Sequence, residues 1–195
     1  MRKIIILLLT LGLALTLSKL SFADEEPKTK TLQGVEVLTG FGWGKLQGKD
    51  NYNLVPISVA FNFDLKPITQ KMKLNLKQSF QFQIEPFFGI VTQPESNIET
   101  GTSLWLKMGL VPDSWRLQPY AKIGAGIAYM TQHTNEQGTQ FNFIEHVGAG
   151  LEYSLTKNTS LIIEGRWRHL SNASIKDPNH GINSYFALTG VSYKF

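Results

Sequence analysis

A run in the first half of the chain alternates apolar with polar side chains, and this alternation limits what the chain can fold into. The apolar positions are Leu74, Leu76, Phe80, Phe82 and Ile84, and the polar positions around them are Asn75, Lys77, Ser79, Gln81, Gln83 and Glu85. A period of two residues is that of a β-strand with one apolar and one polar face. Seven other segments alternate in the same way, so we predict eight strands, at residues 34–46, 52–64, 73–90, 99–111, 116–130, 140–153, 159–170 and 183–195.

The polar faces of these strands carry charges of both signs, which indicates where they point. These residues are Glu36, Lys107, Lys122, His146, Glu152, Glu164, Arg166 and Arg168. The lumen of a small barrel is filled by side chains and accepts paired charges, whereas an apolar protein core does not. The sequence therefore predicts an all-β fold, an eight-stranded antiparallel transmembrane β-barrel. Alternation alone leaves a soluble periplasmic barrel or sandwich as the alternative.

The first residues have the pattern of an export signal. Arg2 and Lys3 precede an apolar run at 4–17, and Ser21 and Ala23 provide the small residues of a cleavage site. We predict a signal peptide at residues 1–23 and the barrel at residues 24–195. After residue 23 no run approaches the roughly 20 apolar residues of a membrane-spanning helix, so membrane insertion would use strands. Export and a barrel together predict a multi-pass protein of the bacterial outer membrane.

The predicted connections between strands fall into two alternating sets. One set covers 64–72, 112–114 and 156–158, and the other covers 47–51, 92–98, 131–139 and 171–182. Outer-membrane barrels have short periplasmic turns and longer extracellular loops. Since the second set is longer on average and more polar, we expect it outside the cell, with both termini on the periplasmic side.

Composition excludes several functional classes. There is no cysteine, so neither a disulfide nor a thiol nucleophile is available. Three of the nineteen Lys and Arg lie in the predicted signal peptide, which leaves sixteen against fifteen acidic residues and gives no electrostatic case for a nucleic-acid partner. His133 and His146 have no partners at metal-ligand spacing, so we predict neither a metal nor another cofactor.

The end of the seventh predicted strand carries residues that could perform chemistry. His169 and Ser171 are two apart on an extended chain, so their side chains share a face and an imidazole can reach the hydroxyl. A serine hydroxyl becomes a useful nucleophile when a neighbouring base takes its proton. The parity of Trp167 puts this pair on the outward, lipid-facing side, while Arg166 and Arg168 point into the lumen.

The surrounding motif resembles that of the outer-membrane lipid A deacylases of the PagL type. It reads His169-x-Ser171-Asn172-Ala173, followed by Asn179-x-Gly181 and position 183. The resemblance implies an eight-stranded barrel that is a carboxylic ester hydrolase of the lipid A 3-O-deacylase type. It implies Ser171 as nucleophile and His169 as general base, with Asn179 and backbone amides near Asn172 and Ala173 holding the oxyanion. The acidic residue that orients the histidine in the family falls on Asn183, which keeps the position but not the charge.

The leading hypothesis is therefore an ester hydrolase that removes an ester-linked (hydroxy)acyl chain from lipid A. Its partners would be lipopolysaccharide and outer-membrane lipids, and the sequence leaves open both a homodimer and the acyl position that is cleaved. The alternative is a catalytically silent structural or adhesive barrel whose activity decayed at Asn183. A third reading, an acyltransferase, would need an inward-opening hydrocarbon pocket, which the charged inner faces oppose.

Overall fold

The computed structural model describes residues 32–48, 50–74 and 76–195, and the predicted signal peptide at residues 1–23 lies outside this part of the chain. Eight antiparallel strands follow one another around a closed barrel, in which β1 pairs with β8. Their bounds are β1 Leu32–Lys45, β2 Asn51–Asp64, β3 Gln78–Gln93, β4 Asn97–Pro112, β5 Leu117–Met130, β6 Phe141–Ser154, β7 Thr159–Ser171 and β8 Ile182–Lys194. The predicted fold class is confirmed.

The two faces of the barrel wall have opposite chemistry. The outward face is apolar and includes aromatic rings, with Phe41 and Trp43 stacked at 6.3 Å and Trp43 and Tyr185 at 6.2 Å between ring centroids. The inward face buries the charged residues predicted for the lumen: Glu36, Lys107, Lys122, His146, Glu152, Glu164 and Arg168 are all buried, and Arg166 is partly so. An apolar exterior around a charged interior suits a barrel in lipid and is the reverse of a soluble barrel. No helix in the described ranges is long and apolar enough to cross a membrane.

A network of ion pairs fills the middle of the lumen. Lys122 Nζ lies 3.0 Å from a carboxylate oxygen of Glu164 and 3.4 Å from one of Glu85. Arg166 forms ion pairs with the same two carboxylates. Lys122 also lies over the Trp105 ring, 4.3 Å from its centroid. Pairing these charges offsets the cost of removing them from water, and their bulk leaves no open channel through this layer.

The connection between β2 and β3 differs from the prediction. Residues 73–77 were predicted to begin the third strand, but β3 begins at Gln78 and is preceded by a short helix, α1 (Lys66–Lys71). Pro67 stands in the first turn of α1, where a proline is tolerated because its missing N–H needs no partner. Lys73 then takes a left-handed conformation with φ 61°, and the Leu74 amide donates to the Thr69 carbonyl at 2.8 Å. The strand therefore begins after this turn, at Gln78, although the apolar alternation begins at Leu74.

An apolar cluster closes the lumen at one end of the barrel, which we call the outer end. This end carries the connections at 46–50, 94–96, 131–140 and 172–181. The cluster is formed by Leu46, Tyr52, Leu54, Val91, Ala128, Met130, Ile144, Leu170, Ile182, Phe186 and Leu188. Leu170 of β7 and Ile182 of β8 are almost completely buried in it. Fully burying one such side chain contributes roughly 1.5–3 kcal/mol. Since successive strand residues point to opposite faces, this packing directs residues 169, 171 and 183 outward.

Candidate active site

The outward positions next to this cluster hold the predicted catalytic residues. His169 on β7 stands directly opposite Asn183 on β8. Ser171 is the last residue of β7 and stands opposite Phe143 on β6. His169 and Ser171 are half-buried and Asn183 is exposed. The structure thus places all three on the outward surface at the outer end, as predicted.

Asn183 holds the imidazole of His169 by a hydrogen bond. The two atoms are His169 Nδ1 and Asn183 Oδ1, 2.9 Å apart. Because an amide oxygen can only accept, this contact places the imidazole proton on Nδ1 and leaves a lone pair on Nε2. Trp167, two residues earlier on the same face, stacks with the imidazole at 6.2 Å between ring centroids. The ring is therefore fixed both in orientation and in tautomer.

Gly181 provides the space that the imidazole occupies. Its φ of +75° is in the left-handed region that favours glycine. A Cβ added here would overlap Cε1 of His169 and would lie 3.0 Å from Nε2. From the sequence, Gly181 was only a member of the motif, with no role of its own. The structure adds a contact with the histidine itself, which depends on how the 172–181 loop folds toward β7.

The chain turns sharply directly after Ser171. Ala173 and Ser174 both have positive φ, 50° and 60°. This turn leaves the Ser171 side chain at the edge of the wall, next to the imidazole on the same face. No hydrogen bond joins the Ser171 hydroxyl to His169 within the described part of the chain, so the two groups have to come closer for proton transfer. Catalytic hydrogen bonds are often longer before substrate binds.

Asn172 and Asn179 hold together the loop that follows the serine. The Asn172 amide N–H donates to Asn179 Oδ1 at 2.9 Å, and the buried Asn172 carboxamide donates to the carbonyls of Lys176 at 2.7 Å and Pro178 at 3.1 Å. The Asn172 amide, predicted as an oxyanion donor, is thus already engaged. Asn179 Nδ2 donates one hydrogen to the Ser174 hydroxyl oxygen at 3.4 Å, and its second hydrogen can donate elsewhere. The Ala173 amide and Asn179 Nδ2 are the remaining candidate donors.

A second loop, at residues 131–140, braces the first. Gln137 and Asn179 form an antiparallel bridge, and the Gly138 amide donates to the Pro178 carbonyl at 2.6 Å. The His180 amide also donates to the Glu136 carbonyl at 2.9 Å. A Cβ on Gly138 would overlap the backbone of 176–177, so the two loops approach as closely as glycine allows. This brace was missed at the level of sequence because it joins two loops that show no periodic pattern.

Arg168 anchors the end of β7 from the luminal side. Its guanidinium binds the Glu99 carboxylate with two contacts of 2.6 and 3.2 Å, and the Tyr52 hydroxyl donates to the same carboxylate at 2.7 Å. Paired, bidentate contacts of this kind restrict both partners. Arg168, which lies between Trp167 and His169, is therefore held firmly. This limits movement of the His169 imidazole on the outward face of β7.

There are three other histidines, and His180 lies in the brace between the two loops. His146 is buried in the lumen, stacks on Trp105 at 4.2 Å between centroids, and has Nε2 2.9 Å from the Ser103 hydroxyl. His133 is exposed on the 131–140 loop. Across residues 32–48, 50–74 and 76–195, no group of three His, Cys, Asp or Glu side chains is placed to hold a metal ion.

Comparison with known proteins identifies the family. The model of the lipid A 3-O-deacylase (PagL) family matches residues 11–192. The chain belongs to this family. A relative, the lipid A deacylase PagL of Pseudomonas aeruginosa, is 33% identical over 72 residues, which covers 35% of this chain and 39% of that protein. The chain therefore aligns with less than half the length of this curated relative.

Two solved structures share the fold. The crystal structure of the outer membrane enzyme PagL matches with a TM-score of 0.58 at 16% identity, covering 80% of this chain and 97% of that one. Neisserial surface protein A matches with a TM-score of 0.61 at 13% identity, covering 84% and 97%. These likenesses concern the fold. Family membership and the apolar exterior together make this chain a protein of the bacterial outer membrane.

Proposed function

We propose that this chain is a serine ester hydrolase that removes an ester-linked (hydroxy)acyl chain from lipid A of lipopolysaccharide. The observation that carries the proposal is the hydrogen bond between His169 Nδ1 and Asn183 Oδ1, on the outward face beside Ser171. That contact leaves Nε2 as the basic nitrogen on the face that Ser171 shares. Family membership supplies the substrate class.

In the proposed reaction, Ser171 is the nucleophile and His169 the general base. The Ser171 oxygen attacks the ester carbonyl carbon while Nε2 of His169 takes the hydroxyl proton. Collapse of the tetrahedral intermediate breaks the bond to the sugar oxygen, which receives that proton from the imidazolium. Water then hydrolyses the acyl-serine in the same way and releases a fatty acid. Asn183 keeps the imidazole in the tautomer that this sequence requires.

The oxyanion of the intermediate needs hydrogen-bond donors near Ser171. In the proposal, the Ala173 amide and the second hydrogen of Asn179 Nδ2 are these donors, while Asn179 Oδ1 accepts from the Asn172 amide at 2.9 Å. Asn172 contributes by holding the loop, through its donors to the Lys176 and Pro178 carbonyls. Removing one oxyanion donor typically lowers kcat by about 10²- to 10³-fold.

The outward direction of these side chains supports a substrate that lies in the membrane. With both termini on the periplasmic side, the outer end would face the leaflet that contains lipopolysaccharide. The ester would then reach Ser171 without leaving the membrane. The proposed residues belong to one chain, so the reaction does not require a homodimer.

The test is mass spectrometry of lipid A from cells that express the wild-type chain, Ser171→Ala or Ser114→Ala. Ser114 is exposed in the turn between β4 and β5, at the opposite end of the barrel. We expect loss of one acyl mass with the wild type and Ser114→Ala, and intact lipid A with Ser171→Ala, while all three migrate as folded barrels. Deacylation by Ser171→Ala would exclude Ser171 as the nucleophile. Intact lipid A in all three would favour the silent structural or adhesive barrel.

A further inference from the structure

Glu145 on β6 is a carboxylate in an unusual place. It is exposed on the outward face, where its neighbours on the same strand are Phe143 and Val147. Among the outward strand positions that the structure describes, it is the one acidic residue. A charge on the lipid side of a barrel is costly at mid-membrane and tolerated near the interface. Within the described ranges it forms no ion pair, so pairing does not account for its place.

The strand register places Glu145 next to the histidine of the proposed site. Glu145 stands directly opposite His169, which in turn stands opposite Asn183. The three residues form one row across β6, β7 and β8, all directed outward. Directly opposed residues of antiparallel strands have Cβ atoms about 5 Å apart. The backbone register thus puts Glu145 on the β6 side of His169 and Asn183 on the β8 side.

The chemistry of the proposed reaction needs a negative charge in this row. Proton transfer from Ser171 makes His169 an imidazolium, which a carboxylate stabilises and a neutral amide stabilises less. Asn183 orients the ring through its oxygen at 2.9 Å but carries no charge. Glu145 stands opposite His169 in the register and has no competing ion-pair partner in the described structure, so its carboxylate can turn toward the imidazole from beyond ion-pair distance.

We propose that Glu145 is a positioning residue that supplies, from β6, the negative charge that Asn183 does not supply from β8. The inference rests on the proposed hydrolase activity. Glu145 acts through His169 and does not itself take part in bond making. Its contribution is greatest in the transition state, where the imidazolium forms, so it affects kcat more than KM.

The experiment is a double-mutant cycle on the purified, refolded chain with lipopolysaccharide as substrate. The variants are Glu145→Gln, Asn183→Glu and the double variant, with Ser171→Ala as the inactive reference. Glu95→Gln serves as the matched control, since Glu95 is an exposed carboxylate in the turn between β3 and β4. We expect Glu145→Gln to lower kcat by roughly 10- to 100-fold with KM changed by less than about threefold. Glu95→Gln should keep the wild-type values.

The cycle distinguishes the two proposals. In the Asn183→Glu background, a carboxylate already faces His169, so Glu145→Gln should lower kcat at least about fivefold less than it does in the wild type. Three results would each overturn the role of Glu145 and leave the hydrolase proposal intact. They are an equal loss of kcat in both backgrounds, an effect of Glu145→Gln on KM only, and a wild-type kcat in Glu145→Gln. A wild-type chain as inactive as Ser171→Ala would refute the hydrolase, and the inference with it.

Discussion

Replacing Gly181 with alanine should displace the imidazole of His169. The new Cβ would overlap Cε1 and lie 3.0 Å from Nε2, whereas non-bonded carbon contacts are stable at about 3.5–4.0 Å. The ring must therefore retreat by about 1 Å. That movement stretches the 2.9 Å bond to Asn183 and moves Nε2 relative to Ser171. A misplacement of about 1 Å costs on the order of 10²-fold in rate, so we expect kcat to fall about 100-fold.

The loss should arise from the site and not from unfolding. The left-handed backbone at Gly181 adds a strain of about 1–2 kcal/mol for alanine, which a folded barrel can tolerate. Gly165→Ala is the matched control, because a Cβ there meets its nearest atom at 4.0 Å. Deacylation of purified lipopolysaccharide gives kcat, and heat-modifiable migration in gels reports folding. Wild-type kcat in a folded Gly181→Ala barrel would refute the steric argument.

Two further predictions concern the supports of the site. Arg168→Met leaves the buried Glu99 carboxylate without its guanidinium, so the free energy of unfolding in detergent and urea should fall by about 3–5 kcal/mol. Lys66→Met, which removes an exposed ion pair with Asp113, should cost less than about 1 kcal/mol, and equal losses would contradict the buried anchor. Gly138→Ala should separate the 131–140 loop from the 172–181 loop and lower kcat about tenfold while the barrel stays folded. Gly48→Ala, where the nearest atom is 3.7 Å away, is its control, and matching kcat values would exclude the brace from the mechanism.

The barrel could be predicted from the sequence because its two faces obey one simple rule. Residues such as Lys107 and Glu164 alternate with outward apolar residues along every strand, and a period of two is readable without knowledge of the fold. The segment at 73–77 was misread because its apolar alternation resembles a strand. The turn after α1, in which the Leu74 amide donates to the Thr69 carbonyl, is not encoded by a pattern of polarity.

The outward direction of His169 and Ser171 could be predicted from the parity of β7. The expectation that position 183 lies beside His169 came from the family motif, and the register of β7 with β8 puts Asn183 opposite His169. The engagement of the Asn172 amide by Asn179 could not be predicted, since it depends on how the loop folds back on itself. The position of Glu145 beside His169 required the register of β6 with β7, which the sequence does not give.

The filled lumen limits how any substrate could reach His169, Ser171 and Asn183. Lys122, Glu164 and Arg166 occupy the interior, so solutes have no route through the middle of the barrel to these side chains. A lipid can approach only by lateral diffusion in the membrane plane. For the proposed reaction, the encounter rate would depend on the surface density of the substrate in the membrane. Both products would be released into the leaflet from which the substrate came.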